Sequence, residues 1–128
     1  MAGALLGLGI IVAENAIPGE RFLGPSSRVL GRALEAAGFA RPLNAAAHHI
    51  VAGAAPLAAD ARAVLERFGI GINDAANGVF LPSVVHSSLH TNAYYTGVND
   101  ALAGATNSDE ALEVLEGIRS NLLGGGFP

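Results

Sequence analysis

The chain has no cysteine, no lysine, no tryptophan and a single methionine, and only 14% of its 128 residues are charged. Without cysteine there is no disulfide framework, no thiolate-ligated zinc and no thiol nucleophile. Without lysine, all seven basic residues are arginine; they face eleven acids and leave a net charge of −4. That balance argues against a protein that grips nucleic acid through a broad basic surface. The uncharged apolar run from Met1 to Ala13 is shorter than the ~20 residues a membrane span needs. It also lacks the positive n-region of a signal peptide, since the first basic residue is Arg21. No stable membrane span and no signal peptide are therefore expected, and the run reads as a packed helix or extended segment. A membrane-active N-terminus is the contrasting reading, and it predicts leakage of vesicles by residues 1–44 without any metal.

What the chain does have is small and apolar. Alanine and glycine make up about a third of it, and 51% of residues are hydrophobic. That composition excludes disorder, and the length suits one domain spanning 1–128. Charge is uneven: residues 1–68 hold six of the seven arginines, whereas residues 69–128 hold only Arg119 against six acids. An anionic ligand should meet the first half, or a metal, before the tail.

Helical patterning dominates. Apolar positions keep helical spacing over Ser26–Ala37, with Pro25 and Ser26 at the start and Gly38 as a stop. A second stripe is Leu57, Ala61, Val64, Leu65 and Phe68, and a third helix is predicted from about Ser88 to Leu102. A fourth opens at Asn107, with Glu110 three positions on, and buries Ala111, Leu115, Ile118 and Leu122 before Gly124. Strand signals are limited to His49–Ala52 and Gly78–Leu81. The fold class is α+β, predominantly helical, with one small two-stranded element.

The four histidines carry the chemistry. His48 and His49 are adjacent at the first strand, so in regular β geometry they point to opposite faces. One could hold a metal while the other addresses a substrate. His86 and His90 stand four apart, a spacing that on a helix turns two imidazoles to one ion. No Glu follows His86, so the zinc-protease signature is absent. Between the pairs, Asn77-Gly78 is a turn signal, and the Asn77 amide could also hold a neighbouring imidazole in one orientation and tautomer. Asn73, four residues earlier, offers the same chemistry.

Ala47-His48-His49, then Asn-Gly-Val-Phe-Leu-Pro at 77–82, then His86 and His90 leading into Thr-Asn-Ala-Tyr-Tyr, resemble the AHH group of toxin nucleases in the HNH/endonuclease VII superfamily. The resemblance covers roughly 45–123, leaving 1–44 as an N-terminal apolar and helical extension. It implies a ββα-metal core, two short strands and a helix around one divalent cation, with additional helices surrounding it. It further implies that His48, His86 and His90 are metal ligands, that His49 is the general base, and that Asn77 orients this base. Three imidazoles favour Zn²⁺, Ni²⁺, Co²⁺ or Mn²⁺, with Mg²⁺ a possible ion in turnover. Arg41, Arg62 and Arg67 flank the first strand in sequence and are candidates for contacts to substrate phosphate.

The implied activity is metal-dependent, sequence-nonspecific hydrolysis of phosphodiester bonds, with DNA favoured as substrate. The implied setting is a toxin (effector) domain of bacterial competition. Such a domain is carried by larger secretion modules, is secreted or delivered into the target-cell cytoplasm, and is neutralised by a cognate immunity protein. An RNase toxin of the same fold is one alternative. A non-catalytic module that binds metal through its histidines is another.

Overall fold

Pro25 and Ser26 do begin a helix. In a computed structural model describing residues 24–128, α1 spans Ser27–Ala36, and the Ser26 hydroxyl accepts from the Val29 amide at 3.1 Å. The Met1–Ala13 run and Arg21 lie outside the described residues. α1 buries Val29, Leu30, Gly31 and Leu34 against two strands, β1 (Ala45–His49) and β2 (Gly78–Pro82). Gly78 makes this approach possible: a Cβ there would stand 2.6 Å from Leu30 Cδ1.

The strands pair antiparallel, with Ala45 opposite Pro82, His48 opposite Val79 and His49 opposite Gly78. β2 falls where the sequence predicts it. β1 lies earlier than the expected His49–Ala52, because the chain after His49 leaves the ladder to wrap Asn77. The Ile50 amide donates to the Asn77 backbone carbonyl at 2.8 Å, and the Val51 amide donates to its side-chain Oδ1 at 2.8 Å.

A short 3-10 turn, Pro56–Ala58, leads into α2 (Ala59–Arg67), and another, Ala75–Asn77, leads into β2. The predicted third helix is two helices, α3 (Ser83–Ser88) and α4 (Asn92–Leu102). Ser87 and Ser88 donate their hydroxyls back to the Val84 and Val85 carbonyls, at 3.1 and 2.8 Å. Such back-bonding competes with the helix ladder. The Thr91 hydroxyl then caps a fresh start, accepting from the Tyr94 amide at 3.2 Å. α4 buries Tyr94, Val98 and Leu102, a stripe at helical spacing.

The last helix, α5 (Ser108–Leu123), is capped by Asn107, whose side chain accepts from the Glu110 amide at 2.9 Å, while Glu110 accepts from the Thr106 amide at 2.7 Å. Its buried face is the predicted Ala111, Leu115, Ile118 and Leu122, joined by Arg119. The core runs through α1, the strands, α4 and α5, centred on Leu30, Ile50, Leu81, Leu102 and Leu115. The α+β, predominantly helical class is as the sequence indicates; β1 and β2 pair although α2 is inserted between them, and α3 follows β2 directly.

Candidate active site

β1 ends on the two histidines and sends their rings to different neighbours. His48 is 3% exposed. Its Nε2 lies 2.7 Å from the Tyr94 hydroxyl and its Nδ1 lies 3.0 Å from Nδ1 of His86. His49 turns the other way, with Nε2 2.9 Å from Oδ1 of Asn73. Both rings border one cleft of about 300 Å³, together with Pro25, Ser26, His86 and His90. Adjacent strand residues thus serve two sides of a single opening.

Asn73 is itself clamped. Its Oδ1 accepts from the Ser26 amide at 3.0 Å and its Nδ2 donates to the Gly24 carbonyl at 3.0 Å. These backbone partners fix which end of the amide is oxygen, so Oδ1 acts as acceptor and the His49 Nε2 must carry its proton. The lone pair of His49 is therefore on Nδ1.

The expectation that Asn77 orients His49 is corrected here. Asn77 is fully buried, and its amide is consumed by main chain: Oδ1 takes the Val51 amide, and Nδ2 donates to the Val51 and Ile72 carbonyls at 3.2 and 3.0 Å. It ties the loop after β1 to the loop before β2. Asn73, the other asparagine of that loop, is the one that reaches the imidazole.

Charge is scarce in the site. Burial, reinforced by the neighbouring His86, His90 and His49 rings, pushes His48 down to about 3. Burial also lowers His49, against the opposing effect of the hydrogen bond it donates to Asn73. His86 is lowered by burial and then by His90 and His49. These rings are held neutral near pH 7, the form in which imidazole ligates a metal or accepts a proton. Burial, followed by the nearby Tyr95, raises the Tyr94 hydroxyl, which stays protonated.

The rings of His48, His86 and His90, expected as ligands, are neighbours. Ring centroids are 5.1 Å apart for His48–His86, 5.1 Å for His86–His90 and 6.4 Å for His48–His90. The pair His86–His90 is not on one helix, since His86 belongs to α3 and His90 to the break before α4. Among the described residues, no three His, Cys, Asp or Glu side chains are arranged so as to hold a metal ion. His90 Nδ1 instead lies 3.3 Å from the Tyr95 hydroxyl. The donor chemistry nevertheless fits a divalent transition ion. With Zn–N bonds of ~2.0–2.1 Å, two nitrogens on one ion sit roughly 3.0–3.4 Å apart, and the two Nδ1 atoms are separated by 3.0 Å.

The three arginines expected at substrate phosphate are committed elsewhere, and none borders the cleft. Arg41 lies over the Phe80 ring at 4.5 Å and pairs with Glu35 at 3.2 Å. Arg67 lies over Phe68 at 4.9 Å. Arg62 donates to the Ala52 and Ala55 carbonyls, both at 2.8 Å, and so braces the loop that forms one cleft wall.

Two residues were not singled out from sequence. Arg119 is buried; it donates to the carbonyls of Gly78 and Ala75, both at 2.9 Å, and stacks on Phe39. Tyr94 lies on the buried stripe of α4, and a buried tyrosine hydroxyl requires a polar partner. That requirement was the available signal.

Residues 30–122 match the model of the AHH family, described as a nuclease family of the HNH/ENDO VII superfamily with conserved AHH. The chain belongs to this family and is a nuclease, with Ala47-His48-His49 as its AHH tripeptide. The match begins at Leu30, inside α1, so this helix belongs to the matched unit although the resemblance is legible only from about residue 45. No curated protein and no solved structure is significantly similar to the chain.

Proposed function

We propose that this nuclease is a divalent-metal-dependent endonuclease acting on DNA, with His49 as general base and His48, His86 and His90 as the metal ligands. The observation that carries the reading is the divided use of the histidine pair. His48 turns to His86 while His49 turns to Asn73, and both face one cleft. A purely structural metal site has no use for the second imidazole.

Hydrolysis of a phosphodiester requires a proton to leave the attacking water. His49 presents an unprotonated Nδ1 for this, because Asn73 holds its proton on Nε2. Its lowered pKa keeps that lone pair free at neutral pH. When bound, a divalent ion polarises the phosphate and stabilises charge on the leaving oxygen. His48 and His86 would hold it through their neighbouring Nδ1 atoms, with His90 as the third imidazole. Imidazole donors favour Zn²⁺, Ni²⁺, Co²⁺ or Mn²⁺ over Mg²⁺, although Mg²⁺ can serve in turnover. No acid or arginine borders the cleft among the described residues.

The family reading extends to a toxin domain delivered by larger secretion modules into the cytoplasm of a target cell and blocked by a cognate immunity protein. The test of function is chemical. Protein stripped with chelator and resupplied with Zn²⁺, Ni²⁺, Co²⁺, Mn²⁺ or Mg²⁺ is incubated with supercoiled plasmid and, separately, with structured RNA. Metal-restored nicking of plasmid, faster than RNA cleavage, is expected. Cleavage of RNA alone transfers the activity to the RNase reading, and cleavage that persists in chelator contradicts the metal requirement.

A further inference from the structure

The Tyr94 hydroxyl has two polar neighbours and one proton. It lies 2.7 Å from the Ile50 carbonyl oxygen and 2.7 Å from Nε2 of His48. A carbonyl oxygen can only accept, so the hydroxyl proton points to Ile50 and the phenolic oxygen accepts from His48. His48 must then be protonated at Nε2. Its lone pair is left on Nδ1, the atom 3.0 Å from Nδ1 of His86. The remaining consequence falls on His86: its Nδ1–H donates to His48, so ligation through Nδ1 of His86 would require that proton to move to its Nε2.

The geometry points to Tyr94 as the positioning residue that locks His48 in the Nε2–H tautomer and so dictates ligation through Nδ1. This rests on the reading of His48 as a ligand. The lock is built rigidly. Tyr94 is 1% exposed, its ring stands edge-on to His48 at 5.4 Å between centroids, and the Phe127 ring packs on it at 5.6 Å. The carbonyl acceptor is supplied by Ile50, two residues beyond His48, so the ligand and the residue that fixes its partner's proton share one strand end. Since His48 is itself 3% exposed, water is not at hand to take over the hydrogen bond. A partner of this kind on the non-ligating nitrogen raises ligand basicity and fixes ring orientation, and its loss usually costs 10–100-fold in metal affinity.

The test uses long-range ¹H–¹⁵N correlation spectra of the histidine rings in the metal-free full chain at neutral pH, followed by Zn²⁺ titration. The wild type should show a pyrrole-type Nε2 and a pyridine-type Nδ1 at His48. Tyr94→Phe keeps the ring packing and removes the acceptor. It should give tautomer-averaged His48 shifts and a Zn²⁺ affinity roughly 10–100-fold weaker. Pyridine-type Nε2 in the wild type overturns the proposal without recourse to any variant, so a poorly folding Tyr94→Phe does not shield it. An unchanged His48 tautomer in a folded Tyr94→Phe overturns it as well. If the wild type shows the stated tautomer but takes up no Zn²⁺, Ni²⁺, Co²⁺ or Mn²⁺, the reading of His48 as a ligand falls while the lock stands.

Discussion

Nε2 of His49 is 2.9 Å from Oδ1 of Asn73, an oxygen that already receives the Ser26 amide. Because that oxygen only accepts, Nε2 of His49 holds the proton and Nδ1 is free. The same contact also makes the His49 ring dependent on chain before the matched family region, since Gly24 and Ser26 clamp the amide that holds the imidazole.

The two asparagines should separate by phenotype. Asn73→Ala is expected to lower the cleavage rate roughly 10- to 100-fold in protein that remains folded, by freeing the His49 ring. Asn77→Ala strands the buried Val51 amide and the Val51 and Ile72 carbonyls. It should cost about 3 kcal/mol of stability while leaving the rate per folded molecule near wild type. Urea unfolding and single-turnover plasmid nicking measure the two effects.

Acid should destabilise the metal-free protein earlier than carboxylates alone allow. His48 sits at about 3 in the folded chain against an ordinary 6.5. Between those values the unfolded chain takes a proton that the folded chain refuses. The contribution of His48 is full above pH 6.5 and is lost as pH falls toward about 3. His49 and His86, also lowered, act in the same direction. The urea midpoint should already fall between pH 6.5 and roughly 5, above the carboxylate range, and a flat midpoint over that interval contradicts the burial described.

Arg119 donates to the Gly78 and Ala75 carbonyls at 2.9 Å and to Ala76 at 3.3 Å. These carbonyls belong to the turn into β2 and to the residue paired with His49. Arg119→Ala should cost about 3 kcal/mol. Arg119→Lys should recover only part, because an ammonium lacks the planar fork that spans these acceptors. Activity should follow the folded fraction, as read by circular dichroism.

The arginines near the first strand should divide by what they hold. Arg62→Ala releases the Ala52 and Ala55 carbonyls and loosens a cleft wall, so KM for oligonucleotide substrate should rise several-fold. Arg67→Ala removes only a contact over Phe68 and should change cleavage less than about twofold.

Much of this was legible from spacing. The α1 and α5 stripes, the Asn107 cap and β2 follow from local rules, since each rests on contacts within a few residues. The AHH tripeptide and the two later histidines are legible through the family resemblance, although their rings meet across 38 residues of sequence. What escaped depended on distant partners. β1 ends at His49 because Asn77, 28 residues on, draws off the next amides. The helix carrying His86 breaks because two serines bond their own backbone. The family motif at 77–82 points to Asn77 as the orienting residue, whereas the Gly24–Ser26 backbone holds Asn73 against the imidazole in space. The arginines were chosen by nearness in sequence, and sequence could not show that aromatic rings and carbonyls already occupy them.

The central claim is that His49 does chemistry while His48, His86 and His90 hold the ion. The direct measurement pairs Zn²⁺ binding by calorimetry with plasmid cleavage for wild type and His49→Ala. Metal affinity within about twofold of wild type, an unchanged fold and a cleavage rate reduced at least ~10²-fold are predicted. Equal cleavage by the two proteins contradicts the account.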